Sequence, residues 1–328
     1  MDNRITLRSI IWLITGKCDF NCLHCYASWF KDFPELETEE CIRIIHEASE
    51  LGVDHIGFSG GEVFLRKDIL RLLKECQEYN IETTIVTNGS LINEQIARNL
   101  YKREVFIYLS IDGDPRTHEM IRGKGTWKFV ERAVNNLEKA GVNFAVITAL
   151  CKYNISSLRE IVEFLKKTQA KTHALIPVMP FGRATWDIVL SKNDIVTILE
   201  TVNELSDDFH FSLWCMPFAY RFIKSKNVYI GSCRMANVMD IGVNGDVLLC
   251  DVLNIPLTNV RNKPLIQALK EQESHELMKK VTNPNLRDPC KTCPVKNRCL
   301  GGCYARSFSK FRTFDGPDPL CPALLQLS

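Results

Sequence analysis

Six short runs rich in β-branched and aromatic residues recur along the first two thirds of the chain, with helical patterns between them. The runs are SIIWLI (9–14), HIGFSG (55–60), ETTIVT (82–87), VFIYLSI (105–111), NFAVITAL (143–150) and THALIPV (172–178). The intervening segments carry apolar residues at three- and four-residue spacing; one of them, 37–52, has Thr38 as its expected N-cap. Apolar strands joined by helices pair in parallel, with both faces covered. Right-handed crossovers then wind the six strands into a barrel or an open sheet, an α/β fold.

Unusual loops follow the candidate strands at their carboxyl ends, where parallel β/α folds place their functional residues. A cysteine cluster follows the first strand, and the other loops are SGGE (59–62), TNG (87–89), SIDG (110–113) and PFGRA (180–184). Because these ends meet at one rim, the sequence predicts a single site there.

The pattern changes after about Phe222. VMDIGVNGDVLLCDVL (238–253) predicts a hairpin with Asn244-Gly245 as its turn. The remainder is rich in loops and cysteines, as expected where metal replaces part of an apolar core. We therefore divide the chain into residues 1–222 and 223–328.

The chain contains fourteen cysteines, an unusually high number. In a reducing cytosol such thiols more often bind metal or react than form disulfides. Ten fall into two groups: Cys18, Cys22 and Cys25, and then Cys233, Cys250, Cys290, Cys293, Cys299, Cys303 and Cys321. Cys41, Cys76, Cys151 and Cys215 are scattered.

The first group has the spacing Cys-x3-Cys-x2-Cys and lacks a fourth thiol. A structural zinc site needs four protein ligands, which His24 or a distant residue would have to complete. Three thiolates on a [4Fe–4S] cluster would instead leave one iron open, and an open coordination position marks a catalytic metal.

This motif, placed after the first strand of a β/α domain, resembles that of the radical S-adenosylmethionine (SAM) enzymes, and the resemblance extends over nearly the whole chain. The family fold is a partial (β/α)6 barrel. In this family SAM chelates the open iron, and one electron releases a 5′-deoxyadenosyl radical that abstracts a hydrogen atom. The resemblance implies a flavodoxin or ferredoxin as the reductant.

The rim loops match the family residue by residue. By this resemblance His24 lies beside adenine, and GGE (Gly60, Gly61, Glu62) holds the methionyl amino group of SAM. Ser110 and Asp112 match ribose contacts, and Arg122 matches an arginine that binds the methionyl carboxylate. Asn88 in TNG is a further cofactor-site candidate, or only a turn residue. Glycines allow close backbone approach, and a carboxylate pairs with an ammonium group.

Residues 233–321 resemble the cysteine-rich SPASM extension of this family, which holds two auxiliary [4Fe–4S] clusters and brings the total to three. The resemblance assigns Cys290, Cys293, Cys299 and Cys321 to an outer cluster. It assigns Cys233, Cys250 and Cys303 to an inner one. A zinc ribbon on Cys290, Cys293, Cys299 and Cys303 is the alternative.

One position departs from the fully ligated relatives, which carry a cysteine where this chain has Met239. The inner cluster then has an open iron that could meet substrate, or Cys215 supplies the fourth ligand. Cys215 could also donate a hydrogen atom or be an inert core thiol, and Cys151 at the end of the fifth strand is a further catalytic candidate. Asp251 follows Cys250 at the position of a base proposed in sulfatase-maturing relatives.

Three functions remain open. The first is modification of a peptide or protein side chain. Since the first strand begins about eight residues from the N-terminus, a separate peptide-recognition protein would then be needed. The second is a tetrapyrrole or other small-cofactor reaction, with Arg183 or Arg66 meeting substrate carboxylates. The third is a non-enzymatic zinc or iron–sulfur protein.

Composition excludes little else. Apolar content of 45% and charged content of 24% are ordinary for a soluble globular protein. The net charge of +2, with no long basic run, gives no indication of nucleic-acid binding. No apolar stretch approaches the roughly 20 residues that span a bilayer, and no signal peptide is recognisable. We expect a cytoplasmic protein.

Overall fold

One continuous sheet organises the computed structural model, which describes residues 7–235 and 237–327. Its strand order is β11-β10-β9-β1-β2-β3-β4-β5-β6-β7-β8. The strands are β1 Ser9–Thr15, β2 His55–Gly60, β3 Glu82–Thr87, β4 Phe106–Ser110, β5 Phe144–Leu150, β6 His173–Pro177, β7 Phe211–Leu213, β8 Val228–Ile230, β9 Val238–Ile241, β10 Asp246–Leu248 and β11 Pro256–Asn259.

Amphipathic helices connect the parallel strands and continue into the C-terminal part. They are α1 Thr38–Glu50, α2 Ile69–Glu78, α3 Glu94–Lys102, α4 Pro115–Arg122, α5 Trp127–Ala140, α6 Leu158–Leu165, α7 Lys192–Leu205, α8 Leu265–Ser274, α9 Glu276–Thr282, α10 Lys296–Cys299 and α11 Tyr304–Phe311. None of the helices in the described ranges is both long and apolar enough to cross a membrane.

The core forms where the helices cover the sheet. Ile10 and Trp12 on β1 are fully buried, and they share a core cluster with Ile44, Ile45 and other apolar residues of the first helices. Burial on both faces of β1 explains why the run SIIWLI is continuously apolar. This continuously apolar run is typical of an interior strand, and β1 lies between β9 and β2 in the sheet.

The six strands predicted from the sequence are all present and parallel in consecutive order. They form the partial barrel expected of this α/β fold, and the short strands β7 and β8 extend it in parallel. The expected N-cap at Thr38 is wrong. Glu37 caps α1 and exchanges hydrogen bonds with Glu40, while the Thr38 hydroxyl donates to Asp68 Oδ2 at 2.6 Å.

The predicted hairpin is confirmed, since β9 and β10 pair antiparallel on either side of Asn244-Gly245. Strand β9 also pairs in parallel with β1, and Met239 lies opposite Ile10. The sheet thus continues from the barrel into the C-terminal part. This pairing brings the second group of cysteines to the side of the barrel that carries the first.

Candidate active site

The first cysteine loop leaves the carboxyl end of β1 and is followed by a short 3-10 helix, Tyr26–Phe30. The thiol of Cys22 lies close enough to Cys18 and Cys25 for their charges to interact. Burial raises the pKa of Cys18 to about 12 and also raises that of Cys22. A bound metal stabilises thiolates, so three converging thiols in this environment fit an iron–sulfur cluster.

The GGE loop after β2 packs directly against the backbone that precedes the cysteines. Gly61 N–H donates to Thr15 O and Glu62 N–H donates to Lys17 O, both at 2.8 Å. A Cβ on Gly61 would lie 2.0 Å from Lys17 O. The glycine therefore permits close approach between two protein loops, whereas the sequence analysis attributed this freedom to approach of a ligand.

Glu62 is fully buried and accepts four hydrogen bonds. The donors are the backbone N–H groups of Phe64 and Asn88 and, through both carboxylate oxygens, the hydroxyl of Thr87. Burial is the largest influence and raises the pKa of Glu62 to about 7. No cationic side chain among the described residues pairs with it. A buried carboxylate without a cation fits the recognition of a ligand ammonium group.

Asn88 connects Glu62 to the cysteine loop. Its backbone N–H donates to Glu62, and its Nδ2 donates to Asp19 Oδ1 at 2.9 Å and to Cys18 Sγ at 3.9 Å. Asn88 is thus more than a turn residue. Sequence reasoning missed Asp19, although its place directly after Cys18 was a signal.

Asp112 connects two other predicted site residues, His24 and Arg122. Its Oδ2 accepts from His24 Nε2 and from Arg122 Nε, each at 2.6 Å, and its Oδ1 accepts from Ala149 N–H at 2.8 Å. Asp112 is fully buried. The nearby Arg122 and His24 lower its pKa despite that burial. Ser110, two residues earlier, is buried at the end of β4.

Arg122 lies close enough to Cys22 and Cys25 for its charge to interact with both thiols. It is buried, and the pKa of its guanidinium is raised by Asp112 and by these cysteines. The cysteine loop therefore has a carboxylate, Glu62, near Cys18 and a guanidinium near Cys22, and within the described ranges no cationic side chain pairs with Glu62.

Arg183 and Arg66, which the sequence analysis considered as contacts for substrate carboxylates, both bind protein groups. Arg183 Nε donates to Cys22 O at 2.9 Å, and its N–H donates to Cys25 O at 3.0 Å. Arg66 is buried, pairs with Asp68 and donates to Ile14 O. Both therefore support the loops around the site.

The outer cysteines line one pocket. All four thiols of the predicted outer group line it: Cys290, Cys293, Cys299 and Cys321. Burial raises the pKa of Cys299 and Cys321 to about 12, and Arg221 Nη1 donates to Cys293 Sγ at 3.8 Å. Four thiols around one pocket fit a cluster with complete cysteine ligation.

The inner cysteines also converge. Cys233 lies close enough to Cys250 and Cys303 for their charges to interact. Cys215 joins them, because it packs with Cys250 and Cys303 in one cluster of side chains and lies close enough to Cys303 for their charges to interact. Met239 is not part of this group and is fully buried in the core between sheet and helices.

Acidic side chains border the inner group at Cys250. Atoms of Asp240, Cys250 and Asp251 that could ligate a metal lie within 4.8 Å of one another. Tyr26 Oη donates to Asp251 Oδ2 at 2.7 Å, and Asp251 N–H donates to Asp240 Oδ2 at 3.1 Å. Burial raises the pKa of Asp251. Sequence reasoning missed Asp240 and Tyr26, although Tyr26 directly follows Cys25.

Cys151 is separate from both groups. It packs in a small apolar cluster with Ile121, Val178, Ala184 and Ile188, and burial raises its pKa to about 11. This is the environment of a small apolar core side chain.

Comparison with known proteins identifies relatives of the chain. The profile of the Radical SAM superfamily matches residues 12–165, and that of SPASM, an iron–sulfur cluster-binding domain, matches residues 233–294. An AdoMet-dependent heme synthase of Methanosarcina barkeri is 26% identical over 96% of each chain. The mycofactocin maturase MftC of Mycolicibacterium smegmatis is 27% identical over 95% of this chain and 82% of its own.

Among solved structures, Streptococcus suis SuiB bound to the precursor peptide SuiA superimposes with a TM-score of 0.80. The two sequences are 21% identical, and the match covers 96% of this chain and 76% of SuiB. This agreement independently supports the fold. The two profile matches show that the chain is a member of the radical SAM enzyme superfamily with a C-terminal SPASM domain.

Proposed function

We propose that the chain binds SAM at a [4Fe–4S] cluster held by Cys18, Cys22 and Cys25 and abstracts a hydrogen atom from a peptide or protein side chain. The observation that carries the first half is the pair of opposite charges at the cysteine loop. Glu62 is a buried carboxylate without a cation among the described side chains, and Arg122 is a buried guanidinium beside the thiols. The methionyl end of SAM carries the complementary ammonium and carboxylate groups.

When bound, the cluster and SAM together supply one-electron cleavage to a 5′-deoxyadenosyl radical. The protein groups orient the cofactor for this step. Glu62 receives the methionyl amino group, Arg122 receives the carboxylate, and Asp112 fixes both Arg122 and His24 through its buried oxygen. His24 then lies beside adenine, and Ser110 borders the ribose.

We assign two auxiliary [4Fe–4S] clusters, which makes three in all. The outer one takes Cys290, Cys293, Cys299 and Cys321, whose thiols line one pocket. The inner one takes Cys233, Cys250 and Cys303. Asp251, adjacent to Cys250 and bound by Tyr26, is placed to take a proton from the substrate once it has lost a hydrogen atom. A flavodoxin or ferredoxin supplies electrons.

Two observations support a peptide substrate. One relative of this chain is named mycofactocin maturase, and a structure of the same fold holds a precursor peptide. At the rim, Trp29 is 42% exposed and packs edge-on against Phe181, with ring centroids 5.6 Å apart. An exposed indole packed on a partly buried phenyl ring suits an apolar peptide side chain.

The test is anaerobic reconstitution followed by iron counting and a 5′-deoxyadenosine assay with dithionite. Three clusters predict about twelve irons per chain. Addition of a pooled random dodecapeptide library should accelerate 5′-deoxyadenosine formation and yield peptides of altered mass. Cys22→Ala should abolish the cleavage. Normal cleavage by Cys22→Ala would contradict the proposal.

A tetrapyrrole substrate is the second candidate, because relatives named AdoMet-dependent heme synthase match at 25–26% identity over nearly their whole length. Iron-coproporphyrin III provides the discriminating probe. A Soret shift on binding, together with porphyrin-dependent 5′-deoxyadenosine formation, would favour this reaction. Absence of a shift, with stimulation by the peptide library, favours the first.

A further inference from the structure

The inner auxiliary cluster lacks a ligand at position 239, and the structure shows why this position cannot supply one. Met239 on β9 is fully buried and belongs to the large core between sheet and helices. Cys215, Cys250 and Cys303 pack in a different cluster of residues. The side chain of Met239 is therefore committed to the barrel core.

Cys215 reaches the inner group from the barrel. It lies two residues after β7, in a left-handed conformation with φ of 56°. Such a backbone is unfavourable for a non-glycine residue and persists where surrounding structure fixes it. It packs in the same cluster of side chains as Cys250 and Cys303, and it lies close enough to Cys233 and Cys303 for their charges to interact. Cys215 is thus a fourth thiol beside three predicted ligands.

A buried ion pair fixes Cys215 relative to Cys303. Arg306 Nη2 donates to Cys215 O and to Asp318 Oδ2, and Arg306 Nε donates to Asp318 Oδ1 at 3.0 Å. Asp318 Oδ2 also accepts from Cys303 N–H at 2.9 Å. Side-chain exposure is only 2% for Arg306 and 1% for Asp318. One guanidinium therefore ties the β7 segment to the Cys303 segment.

The same guanidinium has an unused donor. Arg306 Nη1 is buried and has no hydrogen-bond partner within the described part of the chain. Buried N–H groups are rarely left unsatisfied, and the sulfurs of an iron–sulfur cluster accept such bonds. This orphaned donor indicates an additional acceptor beside Cys215 and Cys303, as a bound cluster would provide.

We propose that Cys215 is the fourth protein ligand of the inner auxiliary cluster. The assignment rests on the proposed function, which places that cluster on Cys233, Cys250 and Cys303. It closes the inner cluster, so that this cluster transfers electrons and does not bind substrate through an open iron. Asp240 and Asp251 are the competing ligands, but thiolates are the preferred ligands for iron–sulfur clusters, and both carboxylates already accept protein hydrogen bonds.

The test uses full-length protein in which Cys18, Cys22 and Cys25 are all replaced by alanine, because this removes the cluster with the known vacancy. Four forms are reconstituted: this parent, and the parent with Cys215→Ala, Cys215→Ser or Cys76→Ala. Cys76 is a fully buried thiol on α2, outside both groups of cysteines, and provides the control. Each form is reduced, exposed to ¹³C-cyanide and examined by EPR and ENDOR, with iron counted.

The parent and the Cys76→Ala form should hold about eight irons and show no ¹³C coupling. Cys215→Ala should show ¹³C coupling or lose about four irons. Cys215→Ser should retain ligation through oxygen and shift the g-values of one cluster. If Cys215→Ala does not fold, the serine variant decides the question.

A parent that binds cyanide, or Cys215 variants with the parent's spectrum, would overturn the assignment while leaving two auxiliary clusters in place. Where the parent shows no coupling and the Cys215 variants share its spectrum, the appearance of ¹³C coupling in Asp240→Asn would identify a carboxylate ligand. A folded parent with fewer than about eight irons would instead contradict the proposed pair of auxiliary clusters, and the assignment would fail with it.

Discussion

Among single side chains, Glu62 connects a short sequence motif to a chemical requirement of the site. Replacement by Gln keeps the shape and removes the charge that we expect to meet the methionyl amino group. A hydrogen bond to a charged group contributes about 1.5–3 kcal/mol, so Glu62→Gln should weaken SAM binding about 10- to 100-fold. Equilibrium dialysis on reconstituted protein measures this. The exposed Glu94→Gln change on α3 is the control, and equal affinities in both variants would contradict the role.

Titration of Glu62 gives a pH dependence with a defined sign. Burial raises its pKa to about 7, so about a tenth of the side chains are ionised one pH unit lower. Because the ammonium group requires the carboxylate, SAM affinity should rise between pH 6 and pH 7.5. Glu62→Gln retains the titration of SAM itself. The difference between the two pH profiles therefore isolates Glu62, and identical profiles would exclude its titration as the cause.

Asp112 has a positioning role, because its buried oxygen holds both His24 and Arg122. Asp112→Asn leaves the Arg122 charge without its partner, and breaking a buried pair costs about 3–5 kcal/mol. Chemical unfolding should show a loss of this order. The exposed pair of Arg8 and Asp54 provides the control, since Asp54→Asn should cost less than about 1 kcal/mol. Equal losses in the two variants would contradict the prediction.

Sequence reasoning selected Glu62 and Asp112 through local motifs, but their environments depend on distant residues. Asp112 binds His24, which is 88 positions away, and Ala149, which is 37 positions away. No sequence motif predicted the ion pair between Arg306 and Asp318. Local patterns therefore identified which residues form the site, whereas their partners became visible only in the fold.

At the level of strands and loops, the six barrel strands were predictable because each is an apolar, β-branched run of at least five residues buried in a parallel sheet. Strands β7 and β8 have three residues each, which is too short for a periodic signal. The antiparallel hairpin was also predictable from Asn-Gly. Its parallel pairing with β1 depends on residues more than 200 positions apart, which no local pattern encodes.

The loop after β2 and the cysteine loop form one unit, and Gly61 is its tightest contact. A Cβ at this position would lie 2.0 Å from Lys17 O, which is backbone and cannot yield without moving the loop. Gly61→Ala should therefore displace Cys18 and lower the iron content by about four per chain, with the auxiliary clusters retained. Gly242→Ala is the control, because Gly242 has no positive φ and a Cβ there would meet its nearest atoms only at 3.4 Å, an ordinary contact distance. Full iron content in Gly61→Ala would contradict this contact.

At the scale of the whole chain, one continuous sheet joins the barrel to the cysteine-rich C-terminal part. Strand β9 covers the edge of β1, and α8 packs on α1. Arg43 on α1 donates to Val260 O and to Lys263 O in the C-terminal part. The barrel and the cysteine-rich part thus share both a sheet and a core, although their sequence patterns differ sharply near residue 222.

A chain ending at residue 222 should therefore fail to fold into a stable barrel. It would lose β8 and β9, leave β1 as an edge strand with unpaired backbone groups, and uncover core residues that pack against Met239 and Ile241. Exposed apolar edge strands promote aggregation. Size-exclusion chromatography and circular dichroism should show aggregated protein with little cooperative unfolding, in contrast to full-length Cys290→Ala, which lacks only a proposed ligand of the outer cluster. A monomeric, cooperatively folded 1–222 fragment that binds about four irons would show that the barrel is independent of the SPASM part.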